Sequence, residues 1–264
     1  MKRTISMIAL LAVCFCLIGC STARTVPDTY LEWEIEDYFD SLDLSPDNMP
    51  TTKRTIKHSP DAETGTDTAT IELKMTFPYN VAVAKYECVY KYDKASEVWT
   101  KLRGKEWYDY KVISYDLPTS PEFWAAKARK YFDRVQYQVS DRDDLFDPED
   151  QPDLYAAVEG AWAINGGGNG LNMLFFEFSK GKSAYDLFSK NADVFLPEDF
   201  YHFDFGKPSG EGENYTYDII NNFHSIYYLM FIENRMYAFN FDHMLDSRAG
   251  SFFNEMGLSF FIIY

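Results

Sequence analysis

Cysteine is scarce in this chain, with four in 264 residues, too few to build a disulfide-stapled scaffold. Positive charge is short as well: 25 Lys+Arg stand against 41 Asp+Glu, a formal net charge of −16. Sequence-independent nucleic-acid binding runs on Lys and Arg neutralising phosphates, so no nucleic acid is expected as a partner. Long apolar runs are missing too. The longest, Ile5 to Ile18 broken only by Ser6, falls short of the roughly 20 residues of a membrane-spanning helix. What is abundant is apolar and aromatic surface: hydrophobic residues make up 46% and rings 18%, enough to offset chain entropy and exclude a disordered tail.

The N-terminus carries the strongest signal. Met1-Lys2-Arg3 is a short basic start, the apolar stretch follows, and Leu17-Ile18-Gly19-Cys20 closes it, the order of a secretory signal rather than of a spanning helix. At Leu17-Ile18-Gly19-Cys20 the segment resembles the lipobox of bacterial lipoproteins. The resemblance implies cleavage between Gly19 and Cys20, diacylglycerol on the Cys20 thiol and a fatty acid such as palmitate on the new α-amino group. It implies an extracytoplasmic protein lipid-anchored to the cell membrane, at the cell surface or, in a host with two membranes, on the periplasmic or outer-membrane side. Losing residues 1–19 removes Lys2 and Arg3 and no acid, so the net −16 becomes −18 over 245 residues. Acyl chains at about 0.8 kcal/mol per buried methylene hold such a body without a spanning helix. Its acid repels an anionic bilayer surface, which predicts a body standing off the membrane. Cys14 and Cys16 leave with the signal, and Cys88, in an alternating strand pattern, reads as a buried small hydrophobe. No intramolecular disulfide is expected.

The expected fold is α+β: a small helix-plus-antiparallel-sheet domain followed by a mostly antiparallel β domain, a lipocalin-like barrel or a sandwich. The division reads as signal peptide 1–19, lipidated tether 20–28, small α+β domain 29–118, helix, strand and acidic connector 119–152, and β domain 153–264. Leu31, Ile35, Tyr38/Phe39 and Leu42 recur at helical spacing. Ile71, Leu73, Met75 and Phe77, then Tyr86, Cys88, Tyr90 and Tyr92, alternate with polar residues around Pro78-Tyr79-Asn80, an antiparallel hairpin with one buried face. Strands at Val98–Leu102 and Trp107–Tyr115 follow. The Tyr-rich strand, acidic turn and Trp strand over about 90 residues look like the NTF2-like or cystatin-like domains of secreted bacterial lipoproteins. Ser120-Pro121-Glu122 starts a helix bearing Trp124, Ala128 and Tyr131, and Val135, Tyr137 and Val139 alternate as a strand. Asp141 to Asp150 holds six acids and reads as a solvated connector.

Beyond it, eight short strands are predicted: Gly160–Asn165, Leu171–Ser179, Ala184–Phe188, Phe200–Phe205, Tyr215–Ile220, His224–Ile232, Arg235–Phe241 and Gly257–Tyr264. Gly160-Ala161-Trp162 is similar to the Gly-x-Trp that opens lipocalin-like families, in which the Trp packs across one end of an eight-stranded barrel around an apolar ligand. The glycines at 166–168 and 170 are followed by Leu171 and a strand pattern, whereas a phosphate loop needs a helix there; they read as a hairpin tip. Counted from Asp141, calcium-loop positions six and twelve hold Phe146 and Pro152 instead of Gly and Glu. His58, His202, His224 and His243 show no metal-ligand spacing, and no Gly-x-Ser-x-Gly elbow occurs. No metal, cofactor or catalytic residue is assigned, and an enzyme is not expected. The rings remain, on both faces of the later strands. Trp162, Tyr201, Phe203, Tyr227 and Tyr237 are the candidate face for a protein, a glycan or a small apolar ligand. The function expected is a non-catalytic binding or accessory module on the membrane. Carriage of an apolar ligand in the β domain, or an enzyme with a dispersed site, are the alternatives.

Overall fold

A computed structural model describes residues 23–42, 44–132, 135–166, 171–196, 210–212, 215–221, 225–242, 246–258 and 261. The chain is α+β, with helices and two antiparallel sheets. It divides into two compact units, Met1–Tyr38, Arg54–Leu73 and Ala84–Asp109 forming the first and Phe39–Lys53, Lys74–Val83 and Tyr110–Tyr264 the second. Residues 119–152, read from the sequence as helix, strand and acidic connector, lie with 153–264 in the second unit.

Helix α1 (Asp28–Ser41) buries Leu31, Ile35 and Tyr38 at the expected spacing. Strands β1 (Thr51–Asp61), β2 (Thr66–Thr76), β3 (Asn80–Asp93) and β4 (Val98–Gly104) lie side by side in that order, and β5 (Tyr108–Tyr115) also pairs with β3. The two-residue period is real. Ala69, Ile71 and Leu73 of β2 are fully buried, as is Cys88 of β3 between buried Tyr86 and Tyr90. Within the first unit the β1–β2 and β3–β4 connections are built alike. The Asp61 carboxylate accepts the Glu63 N–H at 2.8 Å before Gly65 takes a left-handed φ of 68°. The Asp93 carboxylate accepts the Ala95 N–H at 2.9 Å before Glu97 does the same at 58°. The two turns share one end of the sheet, since the Tyr92 N–H donates to the Gly65 carbonyl at 2.9 Å.

The second unit begins its sequence-readable part at α2 (Pro121–Tyr131), where the Ser120 hydroxyl accepts the Phe123 N–H at 3.3 Å, a cap worth about 1 kcal/mol. After β6 (Gln136–Ser140) and the short α3 (Pro152–Ala157) come β7 (Val158–Asn165) and β8 (Leu171–Phe178). Helices α4 (Ala184–Lys190) and α5 (Ala192–Phe195) lead to β9 (Gly210–Gly212), β10 (Tyr215–Asn221), β11 (Ser225–Ile232), β12 (Arg235–Asp242) and α6 (Asp246–Met256). The strand order is β6-β7-β8-β12-β11-β10-β9, an antiparallel sheet as expected, and of the two forms left open, barrel or sandwich, no closed barrel forms among the described residues.

Helices remove the need for closure, because they cover both faces of this sheet. On one face Phe176, Phe178, Leu229, Phe231, Met236 and Ala238 pack with Phe188 of α4 and Phe195 of α5, and with Phe146 from the acidic stretch. On the other, Phe239 and Phe241 meet Phe252 and Phe253 of α6, and Tyr237 meets Trp124 of α2. The acidic stretch is therefore pinned to the sheet by a buried ring. Rings on both faces are two cores, each with its own helices.

The expected strand Ala184–Phe188 is helix α4, because the Ser183 hydroxyl caps it by accepting the Asp186 N–H at 3.2 Å and Ala184 and Phe188, four apart, turn to the core. At 257–264 the described residues form no strand: α6 ends at Gly257, φ 77°, with Leu258 N–H donating to the Phe253 carbonyl at 2.9 Å and Gly257 N–H to that of Asn254 at 3.2 Å. Phe200–Phe205 lies outside the described residues. Residues 167–170 of the Gly-rich segment lie outside the described residues; the strands on either side of it pair antiparallel, with Asn165 opposite Asn172. Trp162 does not cross a barrel end. Its ring lies back over Gly160, where a Cβ would come within 2.5 Å of it, and 4.8 Å from the cross-strand ring of Phe175.

Candidate functional site

The most constructed polar region of the first unit is where the N-terminal segment is fastened to its sheet. Asp67 stands in the inward phase of β2, ahead of Ala69 and Ile71, and is fully buried. Its Oδ2 accepts the backbone N–H of Val26 at 2.9 Å and lies 2.7 Å from Nδ1 of His58 on β1. Its Oδ1 is buried without a hydrogen-bond partner. The far nitrogen of His58 is 3.7 Å from the Asp28 carboxylate at the start of α1. Val26 itself is 1% exposed. Two residues earlier, the Arg24 guanidinium sits 4.6 Å over the Tyr92 ring and donates to its hydroxyl at 2.5 Å.

A second fastening holds α1. The Glu34 carboxylate accepts from the hydroxyls of Tyr86 and Tyr90, each at 2.7 Å, and from Lys101 of β4 at 2.6 Å. Burial would raise its pKa, but the Lys101 ammonium and the two hydroxyls outweigh it and hold the carboxyl below its ordinary 4.5. Burial, reinforced by that carboxylate, pushes Tyr86 up to about 12. The Trp107 ring stacks between Tyr38 at 4.5 Å and Tyr86 at 5.2 Å. Burial pushes the Cys88 thiol up to about 12, so it stays protonated and packs as a hydrophobe.

These groups hold one another. Because Glu34 is depressed in the fold, its stabilisation is present above pH 4.5 and is lost as pH falls below that value through the folded pKa. Glu34→Gln therefore costs about 1–3 kcal/mol at pH 7 by leaving Lys101 without its carboxylate, and the difference from the parent narrows at pH 3. Denaturant unfolding at the two pH values checks this; an equal loss at both contradicts it.

The residues singled out by sequence are dispersed. Trp162 is half-buried and Tyr237 buried on one face of the seven-stranded sheet, both against Phe175. Tyr227 points to the opposite face, where its hydroxyl accepts from Asn240 at 2.7 Å. Gly19, Cys20, Tyr201 and Phe203 lie outside the described residues, as do His202, His224 and His243. Gly181-Lys182-Ser183 stands between β8 and α4 but lacks the first glycine of a phosphate loop, that place being Phe176 in the strand. Its serine hydroxyl is spent on the α4 cap. Asp67, His58, Glu34 and Arg24 were not assigned a role from sequence. One signal was available, a carboxylate in the apolar phase of an alternating strand. No cluster of metal ligands occurs among the described residues. Comparisons with family models, curated proteins and solved structures find no match for this chain.

Proposed function

We propose that the protein is a lipid-anchored extracytoplasmic lipoprotein that serves as a non-catalytic binding or accessory module. The observation that carries this reading is the closeness of the fold to the lipobox: six residues after Cys20, Val26 is buried and hydrogen-bonded to Asp67. A chain secured so soon after an acylation site is suited to being held at a membrane by its first residue. Among the described residues no helix is long and apolar enough to cross one. Carriage of an apolar ligand in the C-terminal sheet draws on the same aromatic excess, but Tyr237, Tyr228 and Phe239 are engaged by Trp124, Phe253 and Phe252, and Phe231 by Phe188. A partner or glycan has exposed rings to meet elsewhere: Trp33 of α1 is 64% exposed, 5.8 Å from Tyr30.

The test is Cys20→Ala with fractionation and mass spectrometry. Parent protein is expected in the membrane fraction with a diacylglyceryl mass on Cys20; the variant is expected to be released or left with its signal uncut. Unchanged fractionation with no lipid on the parent overturns the reading.

A further inference from the structure

Resting on that reading, we infer that the turn end of the first unit, formed by residues 62–65 and 94–97, is the surface that faces the bilayer headgroups. Four chain steps separate Cys20 from Arg24 and six separate it from Val26, reaches of at most about 14 Å and 22 Å. Arg24 is held on Tyr92 and Val26 on Asp67 and its neighbour His58. Those attachment points lie at one end of the sheet. Tyr92 is one residue from the end of β3, and Asp67 is the second residue of β2. Within the first unit β2 runs on from Asp67 to Leu73, about 20 Å, longer than the reach from Arg24. A lipid on Cys20 can therefore lie close to the turn end of this unit, while Leu73 stays beyond the tether from Arg24.

The chemistry of that end suits contact with headgroups and not insertion into the acyl layer. Ala62, Glu63, Thr64 and the whole of 94–97 are exposed, and their surroundings carry Asp61, Glu63, Asp93 and Glu97 beside Arg24, Lys91 and Lys94. Near-balanced charge removes the long-range repulsion that the protein's net acid would otherwise exert at this face. Two carboxylates, Asp61 and Asp93, are already bonded within their turns, so the surface is rigid as well as polar. The turn end therefore rides on the headgroups at tether length.

Full-length lipidated protein in phosphatidylcholine vesicles with a nitroxide headgroup lipid tests this. A fluorophore is placed at Ala62→Cys, Ala95→Cys or Glu72→Cys; Cys88 is buried and Cys20 is blocked by lipid. Quenching is expected to be at least twofold stronger at 62 and 95 than at 72. Adding Asp67→Ala, which frees the tether, is expected to reduce that contrast. Equal quenching at the three sites, or the strongest at 72, in protein that floats with the vesicles and carries the Cys20 lipid overturns the orientation alone. Protein that does not float and carries no lipid overturns the anchoring reading and the orientation with it.

Discussion

Phe253→Ala is expected to cost the protein about 3–5 kcal/mol, the range for truncating a buried phenylalanine. Phe253 is 1% exposed, and among the described residues its ring meets five others: Tyr228 at 4.7 Å, Phe239 at 5.3 Å, Phe241 at 5.7 Å, Phe252 at 5.5 Å and Phe261 at 4.7 Å. Removing it empties the centre of one of the two cores. Neighbours on strands β11 and β12 cannot collapse into the space, since the backbone hydrogen bonds of the sheet fix their positions. Phe253→Leu, which retains much of the volume, is expected to cost less. Urea unfolding of the mature protein gives both numbers from the shift in midpoint at constant slope. A loss below 1 kcal/mol for the alanine variant would show that α6 does not hold this face.

Asp67→Ala is expected to have the second-largest effect, about 2–4 kcal/mol, and to change the behaviour of the N-terminal segment as well. Hydrogen bonds to a charged group are worth about 1.5–3 kcal/mol each, and a stranded buried donor adds its own desolvation penalty. The substitution removes the acceptor of the Val26 N–H and the partner of His58 together. Val26 then has no reason to stay down, and local opening should free the backbone around the exposed Arg24 to enter the trypsin active site. Asp67→Asn can keep its amide oxygen in the Oδ2 position as the acceptor of the Val26 N–H, so it is expected to lose less and to stay resistant. Native-state proteolysis, read as the rate of cleavage after Arg24, separates the two variants. Equal rates for parent and alanine variant would mean that the segment is held by Arg24 and Tyr92 alone.

Those two sites differ in how far they could be read from sequence. The hairpin of β2 and β3 was legible because one face is buried and the other is not, so apolar and polar residues alternate with a period of two. Ser120-Pro121-Glu122 was legible because a helix start depends on neighbours in the chain. The seven-stranded sheet was legible as antiparallel strands, but the helices that cover it were not, for the converse reason. With both faces covered, Tyr227 to Phe231 is one continuous apolar run, and the rings looked surplus until α4, α5 and α6 were placed against them. The short α4 has too few residues to declare a period, and its cap, Ser183, resembles any loop serine. The fastening points were hidden by distance: Asp67 meets a residue 41 positions away, and Glu34 finds its donors 52, 56 and 67 positions away. Each donor taken alone, a strand tyrosine or an edge lysine, carries no mark of its partner.

The chain passes between its two units five times, at Tyr38/Phe39, Lys53/Arg54, Leu73/Lys74, Val83/Ala84 and Asp109/Tyr110. Neither unit is a contiguous stretch of polypeptide. No single cut, and no single recombination breakpoint, yields one of them whole: a fragment beginning at residue 119 lacks the pieces 39–53, 74–83 and 110–118 of its own unit. The two must be inherited, translated and folded as one object, unlike the separable beads of most multidomain chains. Evolution could lengthen the turns or alter the exposed rings, but it could not exchange either half for another by shuffling.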